Sequence, residues 1–127
     1  MKTPKQFILD FFEDSKNNPK TEELIDKYVS DKDPELKGHI LLFEAGIPLY
    51  NILIDDIIAE GNKVMVRGCI KGVHNGYLFG HEATGNSINV GIMAIYEVDN
   101  NKIVNHWTQA DSAALMEQIS KPVLVNN

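Results

Sequence analysis

Residues 51–73 read NILIDDIIAEGNKVMVRGCIKGV, two strand-like stretches on either side of the triplet Glu60-Gly61-Asn62. The first stretch is rich in isoleucine, a residue enriched in strands, and the triplet is typical of a tight turn. In the second stretch apolar residues recur at alternate positions, the period of a strand with one buried face. One face is predicted to carry Val64, Val66 and Ile70, and the other Met65, Arg67, Cys69 and Lys71. The segment therefore predicts two antiparallel strands.

The chain beyond this pair predicts two more strands. A glycine-rich segment at residues 74–87, HNGYLFGHEATGNS, leads to a strand over 88–98. The run Asp99-Asn100-Asn101 is a turn signal, and the last long strand is predicted over 102–110. Four strands joined in order by turns predict an antiparallel meander.

The first part of the chain predicts three helices instead. Thr3-Pro4-Lys5-Gln6 is a capping box with proline at the first helical position. Asn18-Pro19 predicts the start of a second helix, and Asp33-Pro34 caps a third, which Pro48 ends. In each segment apolar residues recur with the helical period of one buried face.

The order of these elements predicts an α+β domain rather than alternating βαβ units. A short closing helix starts at Ser112 and ends before Pro122, and residues 121–127 are predicted to be a tail, in which Val123, Leu124 and Val125 could dock. N-terminal helices packed on a curved antiparallel sheet tend to form a cone with a pocket at its mouth. At 127 residues, the chain 1–127 is predicted to form a single domain.

Composition and charge exclude several classes of function. The net charge is -6, from 18 acids against 12 bases, and no basic run is present. A nucleic-acid partner or an anionic membrane surface is therefore not expected. Cys69 is the only cysteine, which fits a reducing compartment. The acidic N-terminal segment does not resemble a signal peptide, and no segment could span a bilayer, so a cytoplasmic location is expected.

The sequence lacks the common catalytic and metal-binding motifs. There is no nucleophile elbow, no lysine-containing phosphate loop and no dinucleotide fingerprint. No two histidines share a helix at metal-ligand spacing, and Cys69 has no partner cysteine. No metal site is therefore predicted, and acid–base chemistry by isolated side chains is what remains.

Asp111 is the strongest candidate for such chemistry, and its position permits two interpretations. It shares strand parity with Trp107, so both side chains would leave the same face if the strand continued that far. A carboxylic acid among apolar neighbours loses solvation, which raises its pKa and suits it to proton transfer. Aspartate is also a favoured N-cap and could accept from the amides of Ala113 or Ala114. The spacing alone favours the cap.

Three other polar residues are weaker candidates. His106 has the opposite parity to Trp107 and is expected at the surface or in a dimer interface. His74, at a strand exit, either lines a pocket mouth or is a solvated loop residue. Arg67, in mid-strand, either holds an anionic group or pairs with an acid on a neighbouring strand.

The aromatic residues Tyr28, Tyr77, Phe79 and Tyr96 could line a hydrophobic cavity, although such residues are more often plain core. Phe43 is expected in the core. The predicted substrate-binding residues are Trp107, Tyr28, Phe43, Arg67 and Tyr96.

From residue 28 to residue 119 the chain resembles the SnoaL-like polyketide cyclase (ester cyclase) family of the nuclear transport factor 2-like superfamily. The matching segments are PELKGH at 34–39, IIAEGNKV at 57–64, GVHNG at 72–76, FG at 79–80, TG at 84–85, KIVNHW at 102–107, Asp111 and MEQI at 116–119. The resemblance implies a cone-shaped fold, a homodimer formed through the outer face of the sheet, and a mainly apolar pocket for a small hydrophobic ligand.

The resemblance also implies a chemistry. In the cyclases an aspartate at the position of Asp111 acts as general acid and base in an intramolecular aldol closure, with no metal or organic cofactor. The cyclases also use a histidine that comes from the preceding strand, where this chain has the apolar run 92–95. His74 is the substitute that this chain offers. Three hypotheses follow: a proton-transfer enzyme of cyclase or isomerase type, a binding protein for an apolar metabolite, and a dimerisation module with a filled cone.

Overall fold

A computed structural model describes residues 2–121. Its elements are α1 (Pro4–Ser15), α2 (Glu22–Tyr28), α3 (Pro34–Gly46), β1 (Asn51–Glu60), β2 (Lys63–Val73), β3 (Ser87–Asp99), β4 (Lys102–Ala110) and α4 (Ser112–Ser120). The strands form one antiparallel sheet in the order β1-β2-β3-β4. The predicted α+β class and the predicted meander are confirmed. The suggested docking of 123–125 lies outside the described residues.

The helices begin at side-chain caps. Thr3 accepts a hydrogen bond from the amide of Gln6 at 3.1 Å, but the Gln6 side chain donates to Asp10, so only half of the predicted capping box forms. The prediction that α2 starts at Asn18-Pro19 is wrong, since Thr21 is its N-cap. Glu22 and Glu23 follow in the first turn, where acidic side chains favour a helix start.

The third helix begins where the sequence predicts, and it ends two residues before Pro48. Asp33 is the N-cap of α3, and its Oδ1 accepts from the amide of Leu36 at 3.2 Å. The helix ends at Gly46, because Ile47 precedes Pro48 and a residue before proline is disfavoured in the helical region.

The two faces of the sheet differ in burial. The helices cover the inner face, where alternate residues of β3 from Ile88 to Val98 are buried. On the outer face one row crosses all four strands, because residues directly opposed in an antiparallel sheet share a face. This outer row consists of Ile58, Met65, Ile95 and Trp107.

Irregularities bend the sheet at two places. The pairing of β1 with β2 shifts register between Ile54 and Asp56, and that of β3 with β4 shifts at Glu97 and Val98. Such bulges increase local twist and bend the strand. Gly68 lies opposite the first bulge, where a Cβ atom would be only 2.0 Å from the carbonyl oxygen of Leu53. Only glycine permits this approach.

The buried side chains fall into two clusters on the inner face. The larger cluster packs α1, α2 and α3 against β2, β3 and β4, and includes Phe7, Phe11, Tyr28, Tyr96 and Ile103. The smaller packs α4 and the segment after α3 against β2 and β3, and includes Ile47, Ile70, Val90, Leu115 and Ile119. Among the residues described, none of the helices has the length and apolar character needed to cross a membrane.

Candidate active site

A cavity of about 480 Å³ lies beside the smaller core cluster. Its apolar side chains come from β2, β3 and β4, from α3 and α4, and from the 74–86 segment, and are Phe43, Ile70, Phe79, Val90, Ala110, Leu115 and Met116. Asp111 and Ser112 add the polar groups. Pockets that bind small molecules have volumes of roughly 300–1,000 Å³ and are mostly apolar. The cavity therefore has the size and lining of a site for a small hydrophobic compound.

Asp111 is both the cap of α4 and part of this cavity. Its backbone N–H donates to the carbonyl of Gly91 at 3.0 Å, which ties the end of β4 to β3. Its Oδ1 accepts from the amide of Ala114 at 3.0 Å. Within residues 2–121 its Oδ2 accepts no hydrogen bond, so one carboxylate oxygen remains free for another partner. Asp111 is therefore the N-cap that the spacing favours and a lining residue of the cavity, and it is exposed rather than enclosed among apolar neighbours.

Phe79 reaches the cavity from a tight turn. The backbones of Leu78 and His81 exchange two hydrogen bonds of 2.9 Å, and the residues between them, Phe79 and Gly80, have φ of +47° and +85°. A two-residue turn with both φ angles positive favours Asn-Gly, and a phenylalanine there is strained. The Phe79 ring packs edge-on against Phe43, with centroids 6.0 Å apart. Local strain thus accompanies an aromatic contact at the cavity.

His74 does not join Asp111 at this cavity. Its side chain is fully buried, and Nδ1 lies 2.9 Å from Oγ1 of Thr84. Nε2 has no hydrogen-bond partner among the described residues. The residues found to line the cavity include no histidine.

Trp107 and Asp111 do not share a face, because the strand that would have aligned their side chains stops before Asp111. Trp107 lies opposite Ile95 in the outer row, and the ammonium of Lys63 lies 5.3 Å from its ring centroid. β4 ends at Ala110, and the chain then turns to cap α4, so strand alternation does not extend to Asp111.

Arg67 also lies on the outer face and is exposed. Its Nε donates to Oδ2 of Asp56 at 2.7 Å, and Asp55 is 3.6 Å from Nη1. The hydrogen bond to Asp56 raises the pKa of the guanidinium. Of the two interpretations of Arg67, the pairing with acids of a neighbouring strand is the one observed.

Tyr28 and Tyr96 belong to the larger core cluster and not to the cavity lining. Tyr28 packs against Phe7 and Phe11, and its hydroxyl donates to Asp14. Burial raises the pKa of both tyrosines. Tyr77 is exposed. Of the predicted substrate-binding residues, only Phe43 lies with Asp111 at this cavity.

The side chain of His106 is buried although its backbone is partly exposed, which contradicts its predicted place at the surface or in a dimer interface. It lies opposite Tyr96 on the inner face, and its side chain is 8% exposed. Its Nδ1 is 2.6 Å from Oδ2 of Asp33, a residue 73 positions away in the chain. Strand parity correctly predicts that His106 and Trp107 point to opposite faces of the sheet. The helices, however, cover the face that carries His106.

The sequence patterns did not predict six of the cavity residues: Ile70, Val90, Ala110, Ser112, Leu115 and Met116. Ile70 and Val90 are opposed on the inner face of β2 and β3. Leu115 and Met116 lie in the first turns of α4, directly after the capping aspartate. Two features of the sequence point to these residues: the alternation of apolar residues along β2 and β3, and the short helix after Asp111.

The comparison with known families agrees with this geometry. The sequence model of the SnoaL-like polyketide cyclases matches residues 6–119. The chain belongs to the SnoaL-like polyketide cyclase family. A search of curated protein sequences gives no match.

Solved structures share the fold. A candidate SnoaL-like polyketide cyclase from Jannaschia sp. CCS1 is 14% identical with a TM-score of 0.80, over 94% of this chain and 92% of that one. TsrD from Streptomyces laurentii is 19% identical with a TM-score of 0.76, over 91% and 92%. A SnoaL-like polyketide cyclase from Agrobacterium tumefaciens strain C58 is 15% identical with a TM-score of 0.75, over 94% and 100%. At these identities the likeness establishes the fold alone.

Proposed function

We propose that this SnoaL-like protein is an enzyme in which Asp111 transfers protons on a small hydrophobic carbonyl compound held in the cavity. The observation that carries the proposal is a carboxylate at an apolar cavity, with Oδ1 held by the amide of Ala114 and Oδ2 free. The helix amide fixes the orientation of the carboxylate, and the free oxygen is available to the substrate. Family membership makes cyclase-type chemistry the natural reaction class.

The reaction would be an intramolecular aldol closure or a related isomerisation. Asp111 removes the proton from a carbon next to a carbonyl, and the electrons of that C–H bond form an enolate. The enolate carbon then attacks a second carbonyl in the same molecule, and protonated Asp111 returns the proton to the new alkoxide oxygen. Product and substrate have the same composition, so no further reactant is needed.

The surroundings of Asp111 suit this chemistry. The hydroxyl of Ser112, next in sequence and also on the cavity, can donate a hydrogen bond to a carbonyl oxygen. Both residues are at the N-terminus of α4, where the helix dipole favours negative charge, on the carboxylate before the proton moves and on the enolate oxygen after it. The apolar side chains of the cavity would hold a hydrophobic substrate and exclude water when it binds.

The alternative function is binding of an apolar metabolite without catalysis. It is favoured by the absence of a histidine from the described residues that line the cavity. In that case Asp111 would be the helix cap and a hydrogen-bond acceptor for the ligand. The two functions differ in whether a C–H bond of the ligand is ever broken.

Proton exchange into heavy water separates these functions without knowledge of the natural substrate. A panel of aromatic 1,3-diketones and monoketones is incubated with the protein in heavy water, and deuterium uptake beside the carbonyl is followed by NMR. An enzyme accelerates uptake, and Asp111→Asn abolishes the acceleration while binding, followed by protein chemical shifts, persists. Glu117→Gln, which changes an exposed carboxylate of α4 that does not line the cavity, is the matched control. Binding without accelerated uptake in the wild-type protein would establish the alternative.

We also propose that two copies associate through the outer row. Ile58 and Trp107 in this row are 64% and 47% exposed, and Met65 and Ile95 lie between them. Aligned apolar side chains on an uncovered sheet face mark an interaction surface, and symmetric dimers are the commonest soluble assembly. The family resemblance points to the same face.

A further inference from the structure

A second cluster of functional side chains lies at the start of α3 and on β4, outside the Asp111 cavity. One ligating atom from each of Glu35, His39 and His106 lies within 4.8 Å of those of the other two. The His39 and His106 rings are edge-on, with centroids 6.2 Å apart. None of these residues is among those found to line the cavity within residues 2–121. The cluster therefore needs an explanation of its own.

Glu35 and His39 are placed together by the helix. They are four residues apart on α3 and so lie on the same face one turn apart. Nε2 of His39 is 3.9 Å from Oε1 of Glu35. The side chain of Glu35 is 73% exposed and that of His39 is 57% exposed. Because both are in solvent, either can change its side-chain torsions and move toward a shared ligand at little cost.

His106 is held rigidly by comparison. Its Nδ1 is 2.6 Å from Oδ2 of Asp33, and the two side chains are 8% and 7% exposed. The other oxygen of Asp33 accepts from the amide of Leu36, so this carboxylate is fixed at both ends. When Nδ1 carries the ring hydrogen and donates it to Asp33, the lone pair of Nε2 is available to a metal ion. Metal-binding histidines characteristically donate their second ring N–H to a carboxylate in this way.

We propose that Glu35, His39 and His106 bind a divalent transition-metal ion of the zinc type, with Asp33 as the positioning residue for His106. Two imidazole nitrogens and one carboxylate are ligands that Zn²⁺, Co²⁺ and Ni²⁺ accept, whereas Mg²⁺ and Ca²⁺ prefer oxygen alone. Ligands of tetrahedral zinc at bond lengths of about 2.0–2.2 Å lie roughly 3.3 Å apart. The ligating atoms of the cluster lie within 4.8 Å of one another. The exposed side chains of Glu35 and His39 can rotate to bring them to the shorter spacing that zinc requires.

The bound ion would join two elements that are distant in sequence. Glu35 and His39 belong to α3, and His106 belongs to β4, so the metal would tie the helix to the sheet edge. An ion that binds the folded chain more tightly than the unfolded one raises the stability of the fold. The proposal does not depend on proton transfer at Asp111, and neither result decides the other.

Thermal unfolding and cobalt spectroscopy test the site on the full chain without an affinity tag. ZnSO₄ is expected to raise Tm, while MgCl₂ at the same concentration leaves it unchanged. CoCl₂ is expected to give the visible absorption of four- or five-coordinate cobalt with nitrogen ligands. Calorimetric titration with ZnSO₄ should give one ion per chain.

Exposed variants keep the test independent of folding. His39→Gln and Glu35→Gln are expected to weaken zinc binding by roughly tenfold or more, and His81→Gln, which changes a histidine outside the cluster, should bind zinc as the wild-type protein does. Asp33→Asn keeps a helix-capping side chain and should weaken binding by about 10- to 100-fold, the usual effect of losing a partner of a ligating histidine. No zinc-dependent rise in Tm, or equal losses in His81→Gln and His39→Gln, would overturn the proposal.

Discussion

The carboxylate of Asp111 accepts a hydrogen bond from the backbone amide of Ala114 at 3.0 Å while it lines the cavity. One side chain therefore starts a helix and supplies the acidic group of the candidate site. The two roles place different demands on substitutions, and this difference makes them separable by experiment.

Asp111→Asn is expected to abolish proton transfer with almost no loss of stability. Asparagine is about as good an N-cap as aspartate, because its side-chain oxygen can accept from the same amide, but it cannot take up a proton as a base. Asp111→Ala should also be inactive and should lower the free energy of unfolding by about 1 kcal/mol. Urea unfolding and the deuterium-uptake assay measure the two effects. Full activity in Asp111→Asn would refute the general-base role.

Phe79→Asn is expected to weaken ligand binding and leave stability within about 1 kcal/mol of the wild-type protein. Asparagine tolerates the positive φ of +47° at this position, which offsets the lost contact with Phe43. The measurements are binding of a hydrophobic dye and urea unfolding. Leu78→Asn is the contrasting variant at the neighbouring position. Leu78 is fully buried, so a polar side chain there should strongly lower the free energy of unfolding. An unchanged dye affinity in Phe79→Asn would remove this ring from the binding site.

Ile58→Lys is expected to convert a dimer into a monomer. Ile58 is 64% exposed in the single chain, so the charge costs little within the fold, but it would be buried across the proposed interface. Light scattering measures the mass. Leu42→Lys, at an exposed position of α3 away from the outer row, is the matched control. A monomeric mass for the wild-type protein would contradict the proposed association.

Stability is expected to fall as pH rises above 10. Burial is the largest cause that raises the pKa of Tyr28, Tyr50 and Tyr96 above the usual 10.0. The unfolded chain ionises these phenols above pH 10 while the folded chain keeps them protonated. Tyr50 and Tyr96, the more deeply buried, each then lower the free energy of unfolding by about 1.4 kcal/mol per pH unit until the folded-state pKa is reached, and Tyr28 contributes less.

Lys20 has the opposite effect on the pH dependence of stability, at pH values below 10.5. Burial lowers the pKa of its ammonium below the usual 10.5, so below that pH the unfolded chain binds more protons and stability rises with pH. Urea unfolding from pH 9 to 12 follows both effects. Tyr96→Phe should reduce the alkaline slope by the contribution of one tyrosine, and Tyr77→Phe, at an exposed ring, is the control. Equal slopes in the wild-type protein and Tyr96→Phe would argue against the assignment.

Much of the secondary structure is predictable because its signals are local. The bounds of β2 and β4 agree with the predictions of 63–73 and 102–110, and β3 is one residue longer at each end than predicted. Alternation and turn residues fix these strands within a few positions of the chain. The start of α2 was missed because Asn18-Pro19 is a strong breaker signal, although the cap that forms is Thr21.

The candidate site was predictable only in part. The sequence identified Asp111 as either a cap or a cavity residue, and it weighed Phe79 as a cavity residue. Tyr28, Tyr96, Arg67 and Trp107 were placed near the ligand by residue type, but the fold puts the first two in the larger core and the others on the outer face. Residue type indicates what a side chain can do and not which space it faces.

The sequence by itself determined the α+β class, the meander and the caps of α1, α3 and α4, since each depends on residues close together in the chain. Only the tertiary structure decided which face of the sheet the helices cover. Strand parity separates His106 from Trp107, but it does not say which of them is buried. The pairing of His106 with Asp33, across 73 residues, exists because α3 packs on the inner face. The cluster of Glu35, His39 and His106 exists for the same reason.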